Sequence, residues 1–429
     1  MFKAKSPKFA PVLTLASLIG PISSLAKQSG FLLRTPRKIS PEGFLLSLLK
    51  SVCCGQASLN QLAMFFGDDQ PDSPSKQAVH RRLGEASSRF LRAVLDRLMT
   101  SRLLPESGDQ RRIFNRVLVE DSSQFKTHRS NHQSLPGMGN GSGSTAGGKV
   151  DSCIEMTHLQ PILTRHTAAR VQDRALGPDV LEHVKPGDLV LRDMGYFSLK
   201  DFSTIELQGA FWLSRLHALV KAKLANGKSL EEHLRSTPRN QIDTEVWLGE
   251  KGHKARIIAI RVEDALCAQR RRRRRAKSKK QGHAPRKESI LRDEWSIYVT
   301  NIPQELLSSE AIVQLYAARW SIEIQFRSWK QATKVEAALN RITNRHHLDA
   351  LLLAAMIFQV LSLRIAKELR RCSKGIRVSI EKVADWLCLR LLCVHSMTSV
   401  LPVDLRHLGH DRRKRTLLSD SLDSILCLS

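Results

Sequence analysis

Tyr316, Arg319, Glu323 and Lys330 place a phenol, a guanidinium, a carboxylate and an ammonium at the spacing Y-x2-R-x3-E-x6-K. At about 100° per residue, the four fall within roughly a 60° arc of a single α-helix. Leu315, Ile322, Phe326 and Trp329 occupy an adjoining apolar arc, so the helix is expected to bury one side and hold the polar stripe at the rim of a core. A carboxylate flanked by cations suits phosphoryl chemistry: the acid takes a divalent ion and the cations take the phosphates beside it. Arg319 and Glu323 alone would pass for an i,i+4 surface ion pair. Two more carboxylates, in positions able to join the stripe, raise it above that.

Those carboxylates close two short apolar runs. Val117-Leu118-Val119 leads into Glu120-Asp121-Ser122-Ser123, and Leu189-Val190-Leu191 leads into Arg192-Asp193-Met194-Gly195-Tyr196-Phe197. An acid at the end of each of two neighbouring strands, facing a helix-borne acid, can hold two divalent ions over one scissile phosphate. Neighbours on a strand point to opposite faces, so only one of Glu120 and Asp121 can serve, and the hydroxyl-rich continuation favours Asp121.

Taken together and in order, these motifs resemble the DDE transposases of bacterial insertion sequences, in the branch called the insertion-sequence-four family, over roughly residues 45 to 365. The resemblance implies an α/β, ribonuclease-H-like catalytic core with a β-rich insertion. It implies Mg2+-dependent cleavage and joining of DNA, with Asp121, Asp193 and Glu323 holding two Mg2+ ions for which Mn2+ can substitute. It puts Tyr316, Arg319 and Lys330 on DNA phosphates, associates the stripe with hairpin formation at element ends, and brings Trp295 near a flipped end base, core packing being the alternative for that indole. It also implies a place in the bacterial cytoplasm, at the nucleoid, while the apolar C-terminal helices either close the core or form the contact of a homodimer on DNA. A silent DNA-binding repressor descended from such an enzyme, or a nuclease of the same fold, are the competing functions.

The whole chain fits a DNA partner. Its 429 residues carry 68 Lys and Arg against 41 Asp and Glu, a formal charge of +27, the footprint of a polyanion ligand. No uninterrupted apolar run reaches the roughly 20 residues of a spanning helix, so a membrane is not expected. The 8 cysteines form no C-x2-C pair and read as reduced thiols. Lys3, Lys5 and Lys8 ahead of an apolar stretch imitate a signal peptide, but Pro11 and Gly20 interrupt it, and an ordinary N-terminal segment is expected.

Three regions follow: a basic helical DNA-binding region over 1–110, a catalytic domain over 111–335 with its insertion at about 216–294, and C-terminal helices with a basic tail over 336–429. In the first, Ser58 to Phe66 and a segment capped by Ser73 with Pro74 at its first position read as two helices around a turn. They form either a helix-turn-helix presenting Lys76, Gln77, His80 and Arg81 to DNA or a plain helical hairpin. A short helix is expected at Asp179 to His183. Inside the insertion, Arg270, Arg271, Arg272, Arg273, Arg274 and Arg275 form a like-charge block that is expected as a solvated loop contacting DNA phosphates without sequence preference.

Overall fold

The computed structural model describes residues 13–36, 38–67, 73–100, 113–138, 145–282, 291–372, 378–403 and 405–409. The lysine-led start of the chain, the turn after Gly67, the middle of the glycine-rich stretch at 137–148, Cys427 and most of the basic tail lie outside these residues. The strands are β1 (Leu13–Thr14), β2 (Val117–Lys126), β3 (Gly147–Glu155), β4 (Gln160–Ala168), β5 (Leu189–Arg192), β6 (Phe211–Arg215), β7 (Ala222–Lys223), β8 (Gln241–Leu248), β9 (His253–Arg261), β10 (Trp295–Thr300) and β11 (Val400–Leu401). The chain forms two compact units, the first of residues 1–108, 121–171 and 321–416, the second of 109–120, 172–320 and 417–429.

The first unit is mostly helical and is built on the 28-residue helix Arg345–Cys372. Asn344 starts it, its Oδ1 accepting the His347 N–H at 3.0 Å, an N-cap bond that satisfies one of the orphaned first-turn donors. By length and composition the helix could cross a membrane, yet 94% of its most apolar window is buried inside the structure. It is a core helix, apolar on nearly every side because it is covered on nearly every side. The helices Pro41–Cys54, Glu85–Thr100 and Ile380–Cys393 pack on it. Arg364, 3% exposed, is tied in: it donates Nη1 to the Leu98 carbonyl at 2.9 Å near the end of the 85–100 helix. The two N-terminal helices read from the sequence are present as Leu59–Gly67 and Lys76–Arg82, but the cap of the second is Ser75, whose Oγ accepts from the Ala78 N–H, and not Ser73. β1 and β11 form a small antiparallel ribbon.

The second unit is organised by strands. Parallel pairing joins β2 to β5 over Val117↔Leu189 to Glu120↔Arg192, and β5 to β6 over Leu189↔Phe211 to Arg192↔Ser214. Leu118, Val119, Val190, Leu191 and Leu213 are completely buried, as strands covered on both faces must be. Beyond β6 the order continues β10-β9-β8-β7, all antiparallel; β7, β8 and β9, with the helices Leu230–Ser236 and Asp264–Gln281, fall in the stretch of about 216–294 expected as a β-rich insertion. Strand order β4-β3-β2 in the first unit and β2-β5-β6 in the second, with β2 common to both, is that of a ribonuclease-H-like core. The helix ahead of β5 spans Asp173–Leu181, six residues earlier than the sequence suggested, and carries Pro178 within it.

Candidate active site

A buried ion pair locks the two acid-bearing strands one residue upstream of each acid. Glu120 and Arg192 are register partners, both are wholly buried, and Arg192 Nε stands 2.8 Å from Glu120 Oε2. Arg192 also donates Nη1 to Asp201 Oδ2 at 2.8 Å and Nη2 to the Gly177 carbonyl at 2.6 Å. Position 177 has to be glycine for this approach: a Cβ there would lie 2.8 Å from Asp201 Oδ2 and 3.1 Å from Arg192 Nη1. With Glu120 and Arg192 turned inward, strand alternation turns Asp121 and Asp193 the other way, and both are half-buried rather than buried.

Asp121 accepts the N–H of its neighbour Ser122 at 2.8 Å. Asp193 is extended, with φ −76° and ψ 166°, and opens the short turn Met194–Tyr196. Gly195 in that turn is a close-approach glycine, since a Cβ would meet Asp173 Oδ2 at 2.9 Å. Tyr316 donates its hydroxyl to Asp193 Oδ1 at 3.3 Å. Burial, reinforced by the Asp193 carboxylate, pushes this phenol far above its usual range, so it remains a donor. The Arg319 guanidinium lies 5.8 Å from the Tyr316 ring centre, and Tyr298 meets the same ring edge-on at 5.2 Å. Arg215, paired with Tyr298 across β6 and β10, is near enough for its charge to favour the phenolate of Tyr316. The sequence reading missed Arg215. Its signal was a basic residue ending a strand in the same sheet as the acids, but only the fold puts that strand next to β10.

The polar stripe does not lie on one helix. Ser309–Ala317 ends and Trp320–Thr333 begins around Ala318 and Arg319, whose N–H groups bond three residues back, to Leu315 and Tyr316, instead of four. Tyr316 therefore belongs to one helix, Arg319 to the turn, and Glu323 and Lys330 to the next helix, so the arc computed for a continuous helix does not apply. Glu323 sits half-buried in the first turn of its helix. Lys330 Nζ is held by Glu336 Oε1 at 2.7 Å and by the Gln124 carbonyl, three residues past Asp121 on β2.

A family model described as the transposase DDE domain matches residues 113–358, more than half of the chain. This chain belongs to the DDE transposase family. Among curated relatives it is 25% identical over 286 residues to the transposase for insertion sequence element IS231F of Bacillus thuringiensis subsp. israelensis, spanning 61% of this chain and 60% of that protein. It is 26% identical to the transposase for IS231C of Bacillus thuringiensis subsp. berliner, over 73% and 70% of the two chains. To the transposase for IS1151 of Clostridium perfringens it is 22% identical, over 74% and 72%.

In this DDE transposase the arginine block is a helix, not a loop. Arg270 to Arg275 lie within Asp264–Gln281. Arg270 donates to the Trp295 carbonyl at 3.2 Å and to Ser296 Oγ at 2.9 Å. Arg271 pairs with Glu294 at 2.5 Å, and Arg274 forks onto both oxygens of Asp293 at 2.8 and 2.7 Å. Arg272, Arg273 and Arg275 are exposed. Trp295 is 1% exposed, with the Arg261 guanidinium 4.9 Å from its ring centre, an arrangement that fits the core-packing alternative for this indole. Lys76 and Arg81 are exposed on the Lys76–Arg82 helix.

Among the described residues no three His, Cys, Asp or Glu side chains form a ready metal-holding group. The expected ligands Asp121, Asp193 and Glu323 nonetheless suit a hard divalent ion in type: all are carboxylates, and none is buried out of reach of solvent.

Proposed function

We propose that this protein is a DNA transposase that binds the ends of an insertion element, cuts them and joins them to target DNA, with Asp121, Asp193 and Glu323 as the carboxylates that hold two Mg2+ ions. The observation that supports this most is the buried Glu120–Arg192 pair, because it fixes in register two adjacent parallel strands that each continue into a partly exposed aspartate. Two bound divalent ions supply an activated water or 3′-hydroxyl and stabilise the leaving oxygen in an in-line displacement at phosphorus. The chain's own contribution is position and charge. Tyr316, kept protonated, has one proton to give: it orients Asp193 in the free chain and turns to a phosphate oxygen when DNA is bound. Arg319 and Arg215 supply guanidinium forks beside it, and Lys330 a point charge that Glu336 must share. The exposed arginines of the 264–281 helix and the basic 76–82 helix add phosphate contacts, the latter within an N-terminal DNA-binding region of about residues 1–110. The enzyme acts in the cytoplasm, as a dimer on DNA.

The test uses the full purified chain and duplexes bearing the inverted repeats that flank its coding region. Asp121→Asn, Asp193→Asn and Glu323→Gln should each abolish cleavage in Mg2+ and in Mn2+ while leaving end binding within about twofold. Cleavage by any one of them at the normal rate removes that residue from the set. Addition of a supercoiled target separates the alternatives: a transposase gives joined product, a nuclease stops at cut ends, and a repressor binds without cutting.

A further inference from the structure

A cavity of about 390 Å3 in the first unit is lined by His80, Arg341, Asn344 and His347 among others, and among the described residues no carboxylate lines it. It opens at the N-terminus of the 28-residue helix Arg345–Cys372, where first-turn N–H groups lack a carbonyl one turn back and the helix dipole is positive. His347 is 7% exposed, and its Nε2 is buried with no hydrogen-bond partner among the described residues. A buried polar atom in that condition calls for a ligand to complete it. The wall of the cavity is firmly held: Asn131 donates Nδ2 to the Ile342 carbonyl at 2.8 Å, and Thr127 donates Oγ1 to the Leu339 carbonyl at 3.3 Å. The charged or titratable groups facing His347 are His80 from the 76–82 helix and Arg341 from the turn before its own helix. A helix N-terminus, an arginine and two imidazoles, with no acid among the described lining residues, favour an anion.

We propose that this cavity is a socket for one phosphodiester of the DNA duplex, gripped by Arg341, His80, the 345–372 helix N-terminus and His347 Nε2, and thereby fixing the register of the Lys76–Arg82 helix on DNA. The socket rests on the transposase reading, since end DNA is what brings the phosphate. Contacts of this kind position a protein without reading bases. Burial, with His80 beside it, pushes the His347 imidazole down to about 4. It is therefore neutral at physiological pH and can donate Nε2–H without burying a charge, and an anion in the socket raises its titration.

The test measures binding of the full chain to element-end duplexes in which single phosphates are replaced by neutral methylphosphonates. In the wild type, one position should weaken binding about tenfold. That position should have no further effect in Arg341→Ala, whose site is exposed and spares the fold, or in His347→Gln, and binding should move the His347 imidazole titration upward. An equal penalty at every phosphate in all three proteins, with cleavage intact, overturns the socket and leaves the transposase reading standing. An upward shift produced by inorganic phosphate but not by duplex shows a free-anion site and also overturns it. A chain that binds no end duplex at all removes both readings.

Discussion

At the residue scale, the acids are placed by their neighbours. Arg192 is buried among Glu120, Asp201 and the Gly177 carbonyl, and removing one partner of such a pair strands the other's charge in the interior, at a cost of about 3–5 kcal/mol. Arg192→Met should therefore lower stability by that amount in urea unfolding, while the double variant Glu120→Gln/Arg192→Met recovers only part of it, because buried Asp201 still lacks its cation. An unchanged midpoint for the single variant would show that the pair does not hold the strands. Tyr316→Phe removes a hydrogen bond to a carboxylate, roughly 1.5–3 kcal/mol, and should slow cleavage about tenfold or more while weakening end binding only by the one phosphate contact it removes. Its folded pKa is raised, so its contribution to stability is complete below the ordinary tyrosine value of about 10 and is lost as pH rises beyond that. The difference in stability between wild type and Tyr316→Phe should accordingly be flat at neutral pH and shrink in alkali. That Glu120 and Asp121 face opposite ways was legible because alternation on a strand is rigid. That Glu120 would find Arg192 was not, since strand register comes from pairing across about seventy residues, although both residues stood beside the acids in plain view.

At the scale of elements, the apolar runs that became β2 and β5 and the C-terminal helices were legible, because their patterns are local. Periodicity failed where distant groups override local preference. Ala317, Ala318 and Arg319 are good helix formers, and nothing in them announces the change from four-residue to three-residue bonding that splits the stripe between two helices. The arginine block failed in the opposite direction. Six like charges argue against a helix, but Asp293 and Glu294, about twenty residues on, neutralise the inward side of it. Half of the block is thus already engaged by protein, and a salt titration should reveal the division. Arg272→Ser, Arg273→Ser and Arg275→Ser together should flatten the slope of log affinity against log salt by about 2–3 units, equally for end and unrelated duplexes. Arg271→Ser with Arg274→Ser should instead lower thermal stability and change the slope little. A uniform loss of slope from both sets would mean that the carboxylates release their arginines on DNA.

At the scale of the molecule, each unit is assembled from segments far apart in the chain. The first unit takes residues 1–108, 121–171 and 321–416, and its N-terminal helices Pro41–Cys54 and Glu85–Thr100 bury their apolar faces on Arg345–Cys372. Residues 1–110 expressed alone should therefore show little helical circular dichroism and should aggregate, and co-expression with residues 321–429 should improve recovery. A soluble, helical 1–110 fragment that binds element ends would show that the N-terminal region folds by itself. The same interleaving bears on inheritance. A frameshift or stop codon anywhere before the codon for Arg345 deletes the helix on which the first helices fold, so a truncated gene copy yields no stable end-binding fragment to compete with intact enzyme. Such a truncated product is expected not to compete with the intact chain for DNA, whereas a full-length chain altered only at Asp121, Asp193 or Glu323 is expected to compete.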